Sequence, residues 1–85
     1  MCTFYELLDC EIDPVKTGNR IKELRKTKGI TVSAICDAMG FNEPQAIYKW
    51  QRGDSLPTLQ NLYKLSRLFE VSIDDIVRGT EPHAA

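Results

Sequence analysis

The chain has 85 residues and a mass of 9.7 kDa, enough for one small domain with a single hydrophobic core. Apolar residues make up 42% and charged residues 27%, a composition that excludes a disordered chain. No apolar run approaches the roughly 18 residues of a membrane span, and the acidic N-terminus is unlike a secretory signal peptide. We therefore expect a cytoplasmic protein with no membrane partner.

The sequence contains few of the residues that catalytic and metal sites use. The three cysteines form no C-x-x-C pair, and their odd number argues against a disulfide framework. His83 is the single histidine and stands two residues from the chain end, which is unfavourable for a metal site or for a nucleophile activated by histidine. We expect no enzyme, no metal and no cofactor.

The charge is distributed by segment. The overall net charge is −1, but residues 1–14 carry −4, residues 15–53 carry +5 and residues 54–85 carry −2. A basic middle segment is what attraction to nucleic-acid phosphates requires, although charge alone specifies no partner.

Residues 1–13 form an acidic, apolar extension whose local structure is ambiguous. Phe4, Leu7, Leu8 and Ile12 fit one face of a helix, while residues 3–5 could equally open a strand. With Tyr5, these side chains are too apolar for a free arm. They either cover the core of the domain or pair with a second copy.

Caps and glycines then divide the chain into five short helices. Asp13-Pro14 indicates the start of the first helix and Gly29 its end, while Thr31 and Gly40 bound the second. The side chains expected to face the core from these two helices are Ile21, Leu24, Ile35, Cys36 and Met39. The third helix is predicted to begin near residue 42, with a proline in its first turn, and to occupy about residues 43–52.

The last two helices follow the same rules. Thr58 is a cap for the fourth helix, and Ser72 with Asp75 three residues later indicates the start of a fifth, which ends at Gly79. The apolar stripe of the fourth helix is Leu59, Leu62, Leu65 and Phe69. Residues 80–85 are predicted to be a disordered tail. The predicted fold is all-α, a compact five-helix domain over residues 14–79.

The third helix has the chemistry of a surface that reads DNA. At 100° per residue, one polar face carries Gln45, Tyr48, Lys49 and Arg52. Ile47 and Trp50 fall on the opposite side, where they can anchor the helix to the core. Gln can pair with adenine, Lys can donate to guanine and Arg can hold a phosphate, although periodicity alone also fits an ordinary solvated face.

A set of motifs in fixed order resembles the helix-turn-helix domain of the phage repressor and Cro family, the Xre-type regulators. These motifs are residues 18–25 (GNRIKELR), residues 28–31 (KGIT), residues 50–53 (WQRG) followed by Pro57, and residues 69–74 (FEVSID). The resemblance covers about residues 15–78 and implies a lambda-repressor-like fold whose helix-turn-helix motif spans about residues 31–52.

The resemblance also implies which residues meet DNA. The base-reading positions are Gln45, Ala46, Tyr48 and Lys49. The phosphate-contacting positions are Thr31, Ser33, Asn42, Arg52 and Ser55. For Tyr48 the alternative is a ring that only faces solvent.

Four features depart from the family pattern. Val32 stands where a glutamine commonly supports base reading, and the segment between Gly40 and Ile47 is one residue longer than usual. Gln51 replaces a glutamate that pairs with the arginine equivalent to Arg25, which leaves Arg25 with a hydrogen bond rather than an ion pair unless another acid reaches it. Glu70 occupies a helix end that is often glycine, where a left-handed conformation would carry strain on the order of 1 kcal/mol.

Two functions therefore compete. The first is a sequence-specific regulator of transcription that binds double-stranded DNA as a homodimer and represses by blocking polymerase. The second is a protein-binding module, such as the antitoxin of a toxin pair, for which the acidic and apolar residues 1–13 would contact a basic partner.

Overall fold

A computed structural model describes residues 10–80, which form five α-helices and, within that range, no strand. The helices are α1 (Pro14–Thr27), α2 (Val32–Met39), α3 (Gln45–Arg52), α4 (Leu59–Phe69) and α5 (Ile73–Arg78). The predicted all-α, five-helix fold is confirmed. None of the helices in this range is both long and apolar enough to cross a membrane.

Four helices begin at the side-chain caps that the sequence predicts. The Asp13 carboxylate accepts the N–H of residue 15 at 2.9 Å, and the Thr31 hydroxyl accepts that of residue 34 at 3.0 Å. The Thr58 and Ser72 hydroxyls accept the N–H groups three residues later at 3.2 and 3.0 Å. Each bond satisfies a backbone donor that has no partner within its own helix, which is why these residue types start helices.

The third helix begins two to three residues later than the sequence predicts. Asn42 and Glu43 lie in a bend, and α3 begins at Gln45 with Pro44 as its N-cap residue. A proline disfavours helical geometry in the residue before it, so the helix cannot extend back to Glu43. The first turn is closed instead by the Tyr48 N–H, which donates to the Pro44 carbonyl at 3.2 Å.

The core is built from one apolar stripe of each helix. Its buried members are Ile21, Leu24, Ile35, Cys36, Met39, Ile47, Trp50, Leu62, Leu65, Phe69 and Ile76. The inward positions predicted for the first three helices are all in this set. Leu59 is an exception to the predicted stripe of the fourth helix, because it is 73% exposed at the first position of α4, ahead of the turn that packs on the core.

Helix α1 is the element against which the ends of α3 and α5 pack. A Cβ atom on Gly18 would lie 2.0 Å from the carbonyl oxygen of Trp50, so the two backbones touch where α1 passes the end of α3. Gly53 makes a similar approach to Val15 and Gly79 to Lys16, since an added Cβ would lie within 2.8 Å of α1 atoms at both positions. These contacts require glycine because any side chain would separate the elements.

A charged cluster joins α1 to α5. One terminal nitrogen of Arg20 donates to both carboxylate oxygens of Asp75 at 3.0 and 2.8 Å, and the other terminal nitrogen pairs with Glu23. The hydrogen bond to Asp75 is the main cause of a raised pKa of the Arg20 guanidinium, partly opposed by burial. Ser72 caps α5 as predicted, but the Asp75 carboxylate bonds to Arg20, a residue 55 positions away in sequence.

The end of α4 adopts the strained conformation that its sequence suggests. Glu70 has φ 60° and ψ 42°, the left-handed region, and is the one non-glycine residue with positive φ in the described range. Its N–H donates to the Ser66 carbonyl and so closes the helix. This geometry explains why glycine is the usual residue at such a helix end.

The predictions for the two chain ends fall mostly on residues 1–9 and 81–85, outside the described range. Ile12 belongs to the N-terminal extension, and its side chain is about half exposed rather than packed on the core. At the other end, Thr80 is hydrogen-bonded to α1, because its N–H donates to the Lys16 carbonyl at 3.0 Å. The domain therefore continues at least to residue 80.

Candidate nucleic-acid interface

Helices α2 and α3 form a helix-turn-helix unit with a five-residue connection. Gly40 ends α2 in the left-handed conformation at φ 74°, which turns the chain towards α3. The Phe41 N–H donates to the Cys36 carbonyl at 3.0 Å, and the Cys36 thiol donates to the Phe41 carbonyl at 3.2 Å. The predicted buried, apolar role of Cys36 is confirmed, and its thiol also helps to hold the turn.

The apolar side of α3 anchors the helix. Ile47 is fully buried and Trp50 is 4% exposed, and the Trp50 ring packs edge-on against Phe41 at a centroid distance of 5.9 Å. The predicted core role of Trp50 is therefore confirmed. With two side chains fixed in the core, rotation of α3 about its own axis is prevented, so the opposite face has a defined orientation.

The polar face predicted from helical periodicity is present on the surface. Gln45, Tyr48, Lys49 and Arg52 are all exposed, and Tyr48 presents 45% of its surface to solvent. These side chains offer amide, phenol, ammonium and guanidinium groups on one side of a two-turn helix. Ala46 differs from them because it is partly buried against the core, so less of its side chain is available to a ligand.

The C-terminal end of α3 is held by hydrogen bonds to α1. Arg25 donates through Nε to the side-chain oxygen of Gln51 at 3.1 Å and through a terminal nitrogen to the Ile30 carbonyl at 3.2 Å. The prediction that Gln51 would leave Arg25 with a hydrogen bond in place of an ion pair is confirmed. Arg25 thus joins α1, the α1–α2 connection and α3 from a partly buried position.

The residues predicted to contact phosphate are exposed on segments that flank α3. Ser33 lies in the first turn of α2, Asn42 in the bend before α3, and Ser55 in the loop after it. The Thr31 hydroxyl oxygen accepts the Ala34 N–H as a helix cap, and its own proton remains available for donation. Their contact with phosphate stays a prediction.

Arg52 has a partner that the sequence reasoning missed. Its Nε donates to the Asp54 carboxylate at 2.8 Å, and both side chains are more than half exposed. The sequence does contain a signal for this pair, because Asp54 follows Arg52 by two residues, just after the helix-ending Gly53. It is a local pairing, but one that only the turn geometry brings within hydrogen-bonding distance.

The arrangement of the helices agrees with comparisons to known proteins. The HTH_3 helix-turn-helix family model matches residues 21–76, about two thirds of the chain. The chain belongs to the HTH_3 helix-turn-helix family. Members of this family are DNA-binding regulators of transcription, and the resemblance inferred from the sequence motifs is confirmed.

The relatives of this chain include regulators whose names refer to phages. The chain is 35% identical over 63 residues to the SPbeta prophage-derived HTH-type transcriptional regulator YonR of Bacillus subtilis (strain 168), covering 74% of this chain and 57% of YonR. It is 31% identical over 62 residues to the cryptic phage CTXphi transcriptional repressor RstR of Vibrio cholerae, covering 73% of this chain and 54% of RstR. The chain spans about half the length of the curated relatives it matches.

Solved structures of the HTH_3 fold superimpose well on this chain. The restriction-modification controller protein C.AhdI from Aeromonas hydrophila is 26% identical, with a TM-score of 0.68 over 78% of this chain and 98% of C.AhdI. An HTH_3 family transcriptional regulator from Vibrio cholerae has the same identity and a TM-score of 0.65, covering 75% of this chain and 35% of that protein. The similarity to C.AhdI extends over nearly its whole length.

Proposed function

We propose that this protein is a sequence-specific regulator of transcription that places α3 in the major groove of double-stranded DNA. The observation that carries the proposal is the two-sided construction of α3, with Ile47 and Trp50 buried and the polar face exposed opposite them. A helix of this diameter fits the major groove, where base edges present a distinct pattern of donors and acceptors.

Each exposed side chain of α3 has a role that its chemistry suits. Gln45 can form two hydrogen bonds with adenine, and Lys49 can donate to the acceptor atoms of guanine. Tyr48 contacts a phosphate or a thymine methyl group. Arg52, at the end of the helix, contacts a phosphate and contributes to affinity more than to sequence choice.

A homodimer is the assembly that best serves this function. One small domain buries too little surface on DNA for a tight and specific complex, and two copies can place their α3 helices in successive major grooves about 34 Å apart. The target would then be a palindrome, and a bound dimer would repress transcription by blocking polymerase. The repressor name of RstR is consistent with this mode of action.

The test is selection of the purified protein against a random duplex library at about 150 mM salt, where non-specific phosphate binding is weak. Enrichment of one palindrome is the expected result. An enriched site without symmetry would contradict the homodimer, and no enrichment would contradict sequence-specific binding.

Alanine variants then test the assignment of roles on α3. Gln45→Ala and Lys49→Ala should weaken binding to the selected site by about 1–3 kcal/mol each, with a much smaller effect on random DNA. Arg52→Ala should weaken both by similar factors. Lys64→Ala, which removes an exposed cation of α4, a helix outside the helix-turn-helix unit, is the matched control. Equal losses on both DNAs for all three α3 variants would refute the division between base readers and phosphate contacts.

The antitoxin alternative rests on the acidic and apolar N-terminal extension, most of which lies outside the described residues. No observation on residues 10–80 favours it over DNA binding. It stays a prediction, which co-purification of a second protein in equal amounts would support.

A further inference from the structure

The ion pair between Arg52 and Asp54 lies on the surface to which we assign DNA binding. Arg52 Nε and the Asp54 carboxylate are 2.8 Å apart, and the two side chains are 59% and 56% exposed. Arg52 is one of the two cations that α3 itself presents there. The charge of Arg52 is therefore partly compensated within the protein before any phosphate approaches.

The backbone holds Asp54 in this place. Its N–H donates to the Lys49 carbonyl at 2.9 Å, and the N–H of Gly53 donates to the Trp50 carbonyl at 3.1 Å. These two bonds form a Schellman-type helix end around Gly53, whose φ is 80°. Gly53 is in turn packed against Val15 of α1. The turn thus fixes the backbone of Asp54 close to Arg52, within reach of the guanidinium for its carboxylate.

We propose that Asp54 is an internal competitor of DNA phosphate, which keeps the affinity of this protein for duplex DNA low. The inference rests on the proposed function and extends it to a residue that sets how strongly Arg52 contributes to the binding of any duplex. When Arg52 contacts a phosphate it must leave or share the Asp54 carboxylate, and that carboxylate then repels the same phosphate. The two assigned base readers differ from Arg52, because Gln45 carries no charge and Lys49 has no such ion pair within residues 10–80.

The size of the effect follows from counterion release. Each cation that neutralises a duplex phosphate steepens the slope of log Kobs against log salt by about 0.9, and an arginine paired with an acid contributes little to that slope. Removing the acid should therefore restore about one such contact. If the wild type and the variant without the acid bind duplex equally near 1 M salt, this steeper slope corresponds to about fivefold tighter binding by the variant at about 150 mM.

The experiment measures binding of the full chain to a random duplex as a function of salt, for the wild type and Asp54→Asn. We expect the variant to bind about fivefold tighter at about 150 mM, with a slope steeper by about 0.9. The matched control is Asp74→Asn, which removes an exposed carboxylate paired with Arg78 on α5 and changes the net charge by the same amount. The gain should also vanish when Asp54→Asn is combined with Arg52→Ala.

The outcomes separate this inference from the function on which it rests. Unchanged or weaker binding by Asp54→Asn, or an equal gain from Asp74→Asn, would overturn the role of Asp54 alone. A wild-type protein that binds no duplex at any salt concentration would overturn the proposed function, and this inference with it. Thermal melting of each variant checks that folding is intact, since exposed ion pairs contribute little to stability.

Discussion

Replacement of Gly18 by alanine should destabilise the domain, although alanine is the better helix former. In the interior of α1 the substitution alone would favour folding by about 1 kcal/mol, because glycine loses more backbone entropy. The added Cβ, however, would lie 2.0 Å from the Trp50 carbonyl oxygen and 2.9 Å from that of Gln51. Both are backbone atoms of α3, so no side-chain rotation can relieve the overlap.

The two effects can be compared in magnitude. To restore a normal contact, α1 and the end of α3 must separate by about 1 Å, which loosens the packing of both. Overpacking of this kind costs up to about 3 kcal/mol or more, so after the propensity gain we expect a net loss of about 2 kcal/mol. For a domain of this size the loss corresponds to a fall in Tm of roughly 8–16 °C.

Urea unfolding followed by circular dichroism measures the loss directly. The fluorescence of Trp50, the one tryptophan of the chain, reports on displacement of α3 in the same experiment. Lys22→Ala, at an exposed position of the same helix, should change the unfolding free energy by less than about 0.5 kcal/mol. If Gly18→Ala proved as stable as the wild type or more so, the close approach of α1 to α3 would be refuted.

Three further substitutions test individual contacts through the unfolding free energy measured in urea. Gln51→Glu should raise it by about 0.5–1 kcal/mol, because the hydrogen bond from Arg25 becomes an ion pair; a decrease would mean that desolvation of the new carboxylate outweighs the attraction. Glu70→Gly should raise it by a similar amount, about 0.5–1 kcal/mol, because glycine adopts φ 60° without strain, and no gain would argue against a left-handed helix end. Arg20→Ala should lower it by about 1–2 kcal/mol through loss of the partly exposed link to Asp75. Asp75 raises the pKa of Arg20, so the stability that this ion pair contributes is present below the ordinary arginine pKa and is lost only as the pH rises through the raised value. The effect of Arg20→Ala on the unfolding free energy should therefore be equal at about pH 6 and about pH 8. A difference between the two would implicate another titrating group.

The candidate interface was largely predictable because it depends on one helix. The spacing of Gln45, Tyr48, Lys49 and Arg52 places them on one face whatever the rest of the fold does, and Ile47 and Trp50 then have to face inward. The start of α3 was not predicted correctly, because proline and its neighbours can begin a helix at several nearby positions. The partner of Arg52 was missed because ion pairs in a turn depend on backbone angles that residue types do not specify.

What the sequence by itself determined is the set of helices and the face each one buries. Caps such as Thr31 and Thr58 act within three or four residues, and glycine ends helices through its own freedom at positive φ, so both are encoded locally. The tertiary structure alone decided that α1 is the common support. Two features arise only when distant segments meet: the need for glycine at position 18, where a helix interior would ordinarily favour alanine, and the bond between Arg20 and Asp75. No local sequence pattern records which segments of the backbone will approach each other.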